Sequence, residues 1–199
     1  MNFRAIAVVV SLLAASSAYA DPFPIAIAGT EGFPVIVTGN QDVIATYQGN
    51  SAAFSNDLLL ARTSTGPGID ADLSNDQFIF NNHASAVGST VNLGSFAVGT
   101  ELVFRLFVNN TGNSFYSGPA SRNPDAKEHA RVQGNWHPGE TLVSFEDLFG
   151  TPEGVNGFND LSFSFTNTSS SPVPTTPEPA SLLLVGTGVA TAFRRRNNE

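Results

Sequence analysis

Leu161-Ser162-Phe163-Ser164-Phe165-Thr166 alternates apolar and polar residues along its whole length. Because successive side chains of a β-strand point to opposite sides, this period of two predicts a strand with one buried face. We expect Leu161, Phe163 and Phe165 to line a hydrophobic core. The fold is therefore expected to be built from strands.

The same alternation recurs towards the N-terminus. In residues 102–108 the even-numbered positions, from Leu102 to Val108, form an apolar face, and Val143 and Phe145 alternate with polar neighbours. Further strands are expected at residues 23–28, 33–37, 43–47 and 77–80. Loops rich in glycine, asparagine and proline separate them, and no long helical period lies between the two ends of the chain. We predict one all-β domain over residues 21–166, an antiparallel β-sandwich or jelly-roll-like fold.

The charge of this domain restricts its partners. Without the two ends of the chain it carries five basic and fifteen acidic residues, a net charge of about −10. Such a surface repels phosphates, so nucleic acid is not an expected partner. The chain has no cysteine, so the domain must be stable without disulfide bonds.

The first 20 residues have the pattern of a signal peptide. Arg4 precedes a mostly apolar stretch over residues 5–15, and Ala18-Tyr19-Ala20 ends the segment. Signal peptidase accepts small residues such as Ala18 and Ala20 before its cleavage site. We predict that this peptidase removes residues 1–20 and that the mature chain begins at Asp21.

The last segment begins with Pro177-Glu178-Pro179, continues with an apolar run over residues 180–193 and ends with Arg194-Arg195-Arg196. A helix of about 14 residues spans about 21 Å, less than the roughly 30 Å hydrocarbon core of a bilayer. Basic residues stay on the cytoplasmic side, so the bulk of the chain is expected outside. The pattern predicts a precursor tethered to the inner membrane by a short transmembrane helix at 180–193.

These three parts, in this order, resemble the PEP-CTERM sorting signal of exported bacterial proteins, which would occupy residues 177–199. The resemblance implies that exosortase recognises the tail in the inner membrane and that cleavage occurs near Pro177-Glu178-Pro179. Its product would reach the cell surface or the extracellular space. Residues 167–176 are rich in serine, threonine and proline, and we expect them to be a linker that keeps the domain clear of the membrane.

Carboxylates and amides flank a glycine-rich loop between two of the predicted strands. The set consists of Glu146, Asp147, Asn156, Asn159 and Asp160. Their oxygens are ligands that calcium prefers, although the spacing does not fit a helix-loop-helix calcium site. The alternative is a hairpin in which these side chains cap their own turns. The Glu-Asp-Leu at 146–148 with the Asn-Asp-Leu at 159–161 also resembles a bacterial domain family of unknown function that is often found with this sorting signal.

No catalytic constellation is apparent. There is no Gly-x-Ser-x-Gly sequence. If Glu146 and Asp147 are adjacent on a strand, they point to opposite faces and do not form a close pair. The histidines, His83, His129 and His137, match no zinc signature and are expected at the surface or in hydrogen bonds.

Three aromatic residues have two interpretations. Phe115, Tyr116 and Trp136 either form a platform for a sugar ring or belong to the core. The sequence therefore leaves three functions open: a non-catalytic surface or biofilm matrix protein associated with exopolysaccharide, a lectin-like carbohydrate-binding module, and a secreted polysaccharide hydrolase. We expect the first, because export is strongly indicated and catalysis is not.

Mass spectrometry of the protein released by its native host tests both expected cleavages. We expect a mature N-terminus at Asp21 and a C-terminus close to Pro177-Glu178-Pro179. A released chain that retains residues 1–20, or that still carries Arg194-Arg195-Arg196, would contradict the corresponding cleavage.

Overall fold

The computed structural model describes residues 22–150 and 157–170 of the chain. Within them lie fourteen strands: Val35–Val37 (β1), Val43–Gly49 (β2), Asn56–Leu60 (β3), Arg62–Thr63 (β4), Gly66–Pro67 (β5), Gln77–Asn81 (β6), Thr90–Gly94 (β7), Glu101–Leu102 (β8), Phe104–Val108 (β9), Asn113–Tyr116 (β10), Ala130–His137 (β11), Glu140–Phe145 (β12), Leu161–Thr166 (β13) and Thr168–Ser169 (β14). Two 3₁₀ turns, Leu73–Asn75 and Ala120–Arg122, are the only helical elements in these ranges. All the strand pairings are antiparallel, which confirms the predicted all-β class.

Most strands belong to two sheets. One has five strands in the order β11-β12-β13-β2-β7, and the other has four in the order β10-β9-β3-β6. A smaller sheet, β14-β1-β8, and the hairpin β4-β5 complete the topology. Strand β13, with its alternating apolar and polar residues, lies at the centre of the five-stranded sheet, where Phe163 pairs with Val143 of β12 and Tyr47 of β2.

The two large sheets share one hydrophobic core. Phe163 and Phe165 are fully buried, as the alternation predicts. Phe165 stacks on Phe104 of the four-stranded sheet with ring centroids 4.1 Å apart. Phe163 lies parallel to Phe80 of the same sheet at 5.9 Å. Such inter-sheet contacts are what the predicted sandwich requires.

The strand expected at residues 23–28 is absent, and this segment instead covers the second face of β12 and β13. The Ala26 backbone N–H donates to Ser144 Oγ at 2.9 Å, and Ser162 Oγ donates to the Pro24 carbonyl at 2.6 Å. Pro24 has no N–H, so a regular ladder of hydrogen bonds cannot pass through it. The serines of β12 and β13 are therefore buried partners of the N-terminal segment instead of a solvent-facing row.

Two predicted strands have different bounds in the structure. The strand expected over residues 102–108 is interrupted at Val103, because β8 pairs with β1 whereas β9 pairs with β3 and β10. The strand expected over residues 33–37 begins only at Val35, after Pro34. Residues 102–108 therefore contribute to two different sheets, and their alternating pattern alone does not reveal this division.

The folded region continues beyond the predicted end at residue 166. Asn167 adopts a positive φ of 55° and turns the chain into β14, which pairs with β1. Thr168 is buried, and Ser170 Oγ donates to the Val132 carbonyl at 3.0 Å. The first four residues of the expected linker, 167–170, therefore belong to the fold, since a serine and threonine segment can also complete a sheet.

The predicted terminal segments lie outside the described residues. This holds for the signal peptide at 1–20, for residues 171–176 of the linker and for the sorting signal at 177–199 with its apolar run at 180–193. Within residues 22–150 and 157–170 no helix has the length and apolar character needed to cross a membrane.

Replacing Phe163 by alanine tests the shared core. Loss of its ring contacts with Phe80 and Tyr47 should lower the free energy of unfolding by about 3–5 kcal/mol. Urea unfolding of both variants provides the measurement, with Phe149→Ala as control because Phe149 is 59 % exposed. The control should stay within about 0.5 kcal/mol of the wild type. Equal effects in the two variants would contradict this core.

Candidate functional site

Three carboxylates meet at one end of the five-stranded sheet. Glu146 and Asp147 directly follow β12, and Asp160 directly precedes β13, its antiparallel neighbour, in which Leu161 pairs with Phe145. One oxygen from each of the three side chains lies within 4.8 Å of the others, and all three residues are buried. In residues 22–150 and 157–170 this is the one group of three acidic or histidine side chains close enough to share a metal ion.

Glu146 and Asp147 would point to opposite faces only as adjacent positions on a strand, and this condition is not met. Strand β12 ends at Phe145, so the two residues are not part of the strand's alternation. Backbone N–H groups orient the carboxylates: Leu148 N donates to Glu146 Oε1 at 3.0 Å, and Asp147 N donates to Asp160 Oδ2 at 2.7 Å. The turn after β12 therefore gathers the acids that a continued strand would separate.

Burial of the cluster changes the protonation of Asp160. Loss of hydration, the negative charge of Asp147 and a hydrogen bond with the Glu146 carboxyl together raise the pKa of Asp160 to about 8. A buried carboxylate beside another negative charge is stabilised by taking up a proton. At neutral pH the site without a cation thus holds a proton on Asp160.

Asn56 joins this cluster from the other large sheet. It is the first residue of β3, it is fully buried, and its Nδ2 donates to Asp147 Oδ2 at 2.7 Å. Its Oδ1 is buried without a hydrogen-bond partner. Asn56 is not among the predicted site residues, although it shares the parity of the buried Leu58 and Leu60. The feature of the sequence that could identify Asn56 as a site residue is its polar side chain at a position that faces the core.

His129 holds the loop that carries the acids. Its Nδ1 lies 3.0 Å from the Glu146 carbonyl and its Nε2 lies 2.9 Å from Asp125 Oδ2. Asp125 Oδ2 also accepts a hydrogen bond from the Gly150 N–H at 2.8 Å. Burial alone would raise the pKa of Asp125, but the hydrogen bonds from His129 and Gly150 outweigh it and lower that pKa. His129 is thus buried and hydrogen-bonded, one of the two expected environments.

The other predicted site residues are less closely involved. Asn159 is half-buried, and its backbone carbonyl accepts a hydrogen bond from Ser51 N at 2.9 Å. Asn156 lies outside the described residues. His83 and His137 are exposed and belong to no group of potential metal ligands in the part of the chain that the structure describes.

A small pocket gives access to the cluster. It has a volume of about 140 Å³ and is lined by Ser51, Ala53, Phe54, Asp147, Leu148 and Asp160. Ligand pockets for small molecules typically measure about 300–1,000 Å³. The pocket is therefore suited to an ion or to water, and it is too small for a sugar ring.

The outer face of the four-stranded sheet is a second surface of interest. Here the side chains that point away from the core include three aromatic residues, Phe78, Phe107 and Tyr116. Phe78 is 55 % exposed, and the other two are half-buried. Tyr116 and Phe78 lie in one row across the four strands, roughly 14 Å apart at the usual strand spacing. We call these residues and their polar neighbours the open face.

The charges on the open face are paired within it. Arg105 Nε contacts Asp76 Oδ2 at 2.5 Å, and Asn81 Nδ2 donates to Asp57 Oδ1 at 2.7 Å. The Arg105 guanidinium also lies 5.8 Å from the centre of the Phe107 ring. The face therefore combines aromatic rings with amide and carboxylate groups and has no excess of positive charge.

The three aromatic residues considered in the sequence do not form one platform. Phe115 is fully buried and stacks on His129, with ring centroids 3.7 Å apart. Tyr116 belongs to the open face, and Trp136 packs against His137 at the end of β11. The core interpretation therefore applies to Phe115. Tyr116 reaches the open face because it lies on β10, a strand that was not predicted from the sequence.

Comparison with known proteins identifies the tail. Residues 175–196 match the PEP-CTERM protein-sorting motif. No match was found among curated proteins or among solved structures. The motif identifies an exported protein that passes through the membrane and has exosortase as its processing partner. The resemblance of the central domain to a family of unknown function has no support from these comparisons.

Asp160→Asn tests the protonation of the cluster in calcium-free buffer containing EDTA. Folded Asp160 keeps its proton up to a pKa of about 8, whereas the ordinary value is 3.8. The stability that the folded protein gains from protonated Asp160 is therefore complete below about pH 4, and it is lost as the pH rises towards 8. Asparagine retains a neutral group of the same shape.

Relative to the wild type, Asp160→Asn should gain stability as the pH rises from 4 to 8. Urea unfolding at several pH values measures this difference directly, and other titrating groups such as Asp125 cancel in it. A difference between the two proteins that is the same at pH 4 and at pH 8 would show that folding does not raise the pKa of Asp160.

Proposed function

We propose that this exported protein is a non-catalytic component of the cell surface or extracellular matrix, and that its β-sandwich domain associates with exopolysaccharide through the open face. The observation that carries the proposal is the exposed Phe78 together with Phe107 and Tyr116 on the outer face of the four-stranded sheet. The sorting motif supports it, since exosortase processing delivers the domain to the compartment in which such polymers lie.

The two large sheets differ in how their outer faces are covered. The N-terminal segment lies over β12 and β13, as the contacts of Pro24 and Ala26 show. On the open face, by contrast, Phe78 remains 55 % exposed on the edge strand β6. A large exposed aromatic residue beside other aromatics is typical of a binding surface.

The chemistry of the open face suits a sugar polymer. Aromatic rings pack against the apolar C–H surface of a sugar, and the neighbouring Asp57 and Asn81 offer groups for its hydroxyls. Tyr116 and Phe78 end one row across the four strands, and Phe107, Asp57 and Asn81 lie in a neighbouring row, so an extended chain can lie across the strands. A carbohydrate-binding module in the lectin sense is the closely related alternative, in which one defined glycan is preferred.

The charge of the protein favours a neutral polysaccharide. The mature domain carries about ten more acidic than basic residues, and the Arg105 charge is compensated by Asp76. Acidic polymers, nucleic acid included, would be repelled. We therefore expect uncharged glycans to bind better than uronic-acid polymers.

The hydrolase alternative has one observation in its favour. Asp160, with a raised pKa, lies beside Asp147, a combination that resembles a general acid with its partner. However, the pocket of about 140 Å³ admits no sugar ring, and Asp160 and Asp147 are buried. We propose that the cluster is not catalytic, and release of reducing ends from polysaccharides by the purified protein would contradict this.

Binding to neutral and acidic polysaccharides tests the proposed function. We expect the purified exported protein to be retarded in affinity electrophoresis by the host exopolysaccharide or by a neutral glucan, and less by polygalacturonate. Phe78→Ala should weaken this binding at least about fivefold, as expected for an exposed aromatic contact worth about 1 kcal/mol.

Phe149→Ala is the matched control, because Phe149 is 59 % exposed but lies after β12, away from the open face. Its binding should equal that of the wild type. Equal loss in both variants, or no binding to any neutral polysaccharide, would refute the role of the open face. A glycan array separates the two forms of the proposal, since a lectin-like module selects one glycan whereas a matrix protein binds several related polymers.

A further inference from the structure

We propose that Glu146, Asp147 and Asp160 bind a calcium ion, and that Asn56 supplies a further ligand from the other large sheet. This site is independent of the open face and goes beyond the proposed association with polysaccharide. Two separate observations carry it: three buried carboxylates that can reach one ion, and a buried amide oxygen without a hydrogen-bond partner beside them.

The composition of the cluster selects the type of ion. Carboxylate and amide oxygens without sulfur or imidazole are ligands of hard cations, and calcium accepts six to eight such oxygens at about 2.3–2.6 Å. One oxygen from each acid lies within 4.8 Å of the others, which equals about twice a calcium–oxygen distance. A single ion can therefore contact all three carboxylates.

Asn56 is placed to become a ligand. Its Nδ2 lies 2.7 Å from Asp147 Oδ2. Rotation of the side-chain amide by half a turn places Oδ1 where Nδ2 now lies. Asn56 Oδ1 and Asp147 Oδ2 are then separated by the same 2.7 Å. Neighbouring equatorial oxygens of a pentagonal bipyramid around calcium are about 2.8 Å apart. The contact that an amide N–H now makes thus has the spacing of two ligands around one ion, and after the rotation Oδ1 has the ion as its partner while Nδ2 gives up its hydrogen bond to Asp147.

The ion would connect the two large sheets. Glu146, Asp147 and Asp160 lie at the end of β12 and the start of β13, whereas Asn56 begins β3. Binding would replace the proton on Asp160 with a divalent cation, which offsets two of the three negative charges of the ionised acids. Because calcium sites of extracellular modules work at about 10⁻⁴–10⁻³ M, such a site would fill after export.

Thermal unfolding of the exported protein tests the site, with calcium chloride, magnesium chloride or EDTA as the only variable. We expect a saturable rise in Tm of roughly 5–10 °C at about 100 times the calcium Kd, and a smaller effect of magnesium. Asp160→Asn should abolish most of the rise. Asp42→Asn, which alters an exposed carboxylate, should keep it.

Asn56→Asp tests the fourth ligand. A carboxylate at this position adds a negative charge, so the variant should unfold at a lower temperature in EDTA yet bind calcium several-fold more tightly in isothermal titration calorimetry. Calcium affinity equal to that of the wild type would remove Asn56 from the site and overturn the bridge between the sheets. A Tm that is indifferent to calcium, or a rise that persists in Asp160→Asn, would overturn the site as a whole.

Discussion

Packing of phenylalanine rings between two sheets is the interaction on which the rest of this structure depends. Phe165 lies on Phe104 and Phe163 lies on Phe80, and no disulfide bond supports these contacts because the chain has no cysteine. Hydrophobic burial of this kind scales with the apolar area removed from water. It fixes β13 at the centre of one sheet, and it thereby fixes Asp160, the residue directly before β13, against the end of β12.

The acid cluster of Glu146, Asp147 and Asp160 lies at the end of the sheet that this core holds in place. Three carboxylates are buried where two neighbouring strands and the start of β3 come together, and the molecule tolerates them by keeping a proton on Asp160. Buried charges require compensation by a partner, a proton or a metal ion. Asp125 and His129 stabilise the loop from the other side, so the acids are held in place instead of relaxing towards solvent.

The sequence predicts the parts of the fold that a local pattern encodes. The strict alternation of Leu161–Thr166 correctly placed its buried face, and the carboxylates named from the sequence do gather in space. Strand β3 was missed because it begins with two polar residues and continues with three consecutive leucines, which do not alternate, and β7 because few of its residues are buried. Asn56 could not be assigned to the cluster, since its approach to Asp147 is a tertiary contact 91 residues apart in the chain.

The N-terminal segment shows how processing and fold are connected. Phe23 packs so closely on Gly49 that a Cβ there would lie 2.7 Å from Phe23, and Gly49 also has a φ of 139° that favours glycine. If signal peptidase cuts before Asp21, this contact begins only two residues after the new N-terminus. From there the chain continues over β12 and β13, where Pro24 and Ala26 make their contacts. The serines of those strands thus obtain partners from this segment, whereas on the opposite sheet Phe78 remains 55 % exposed.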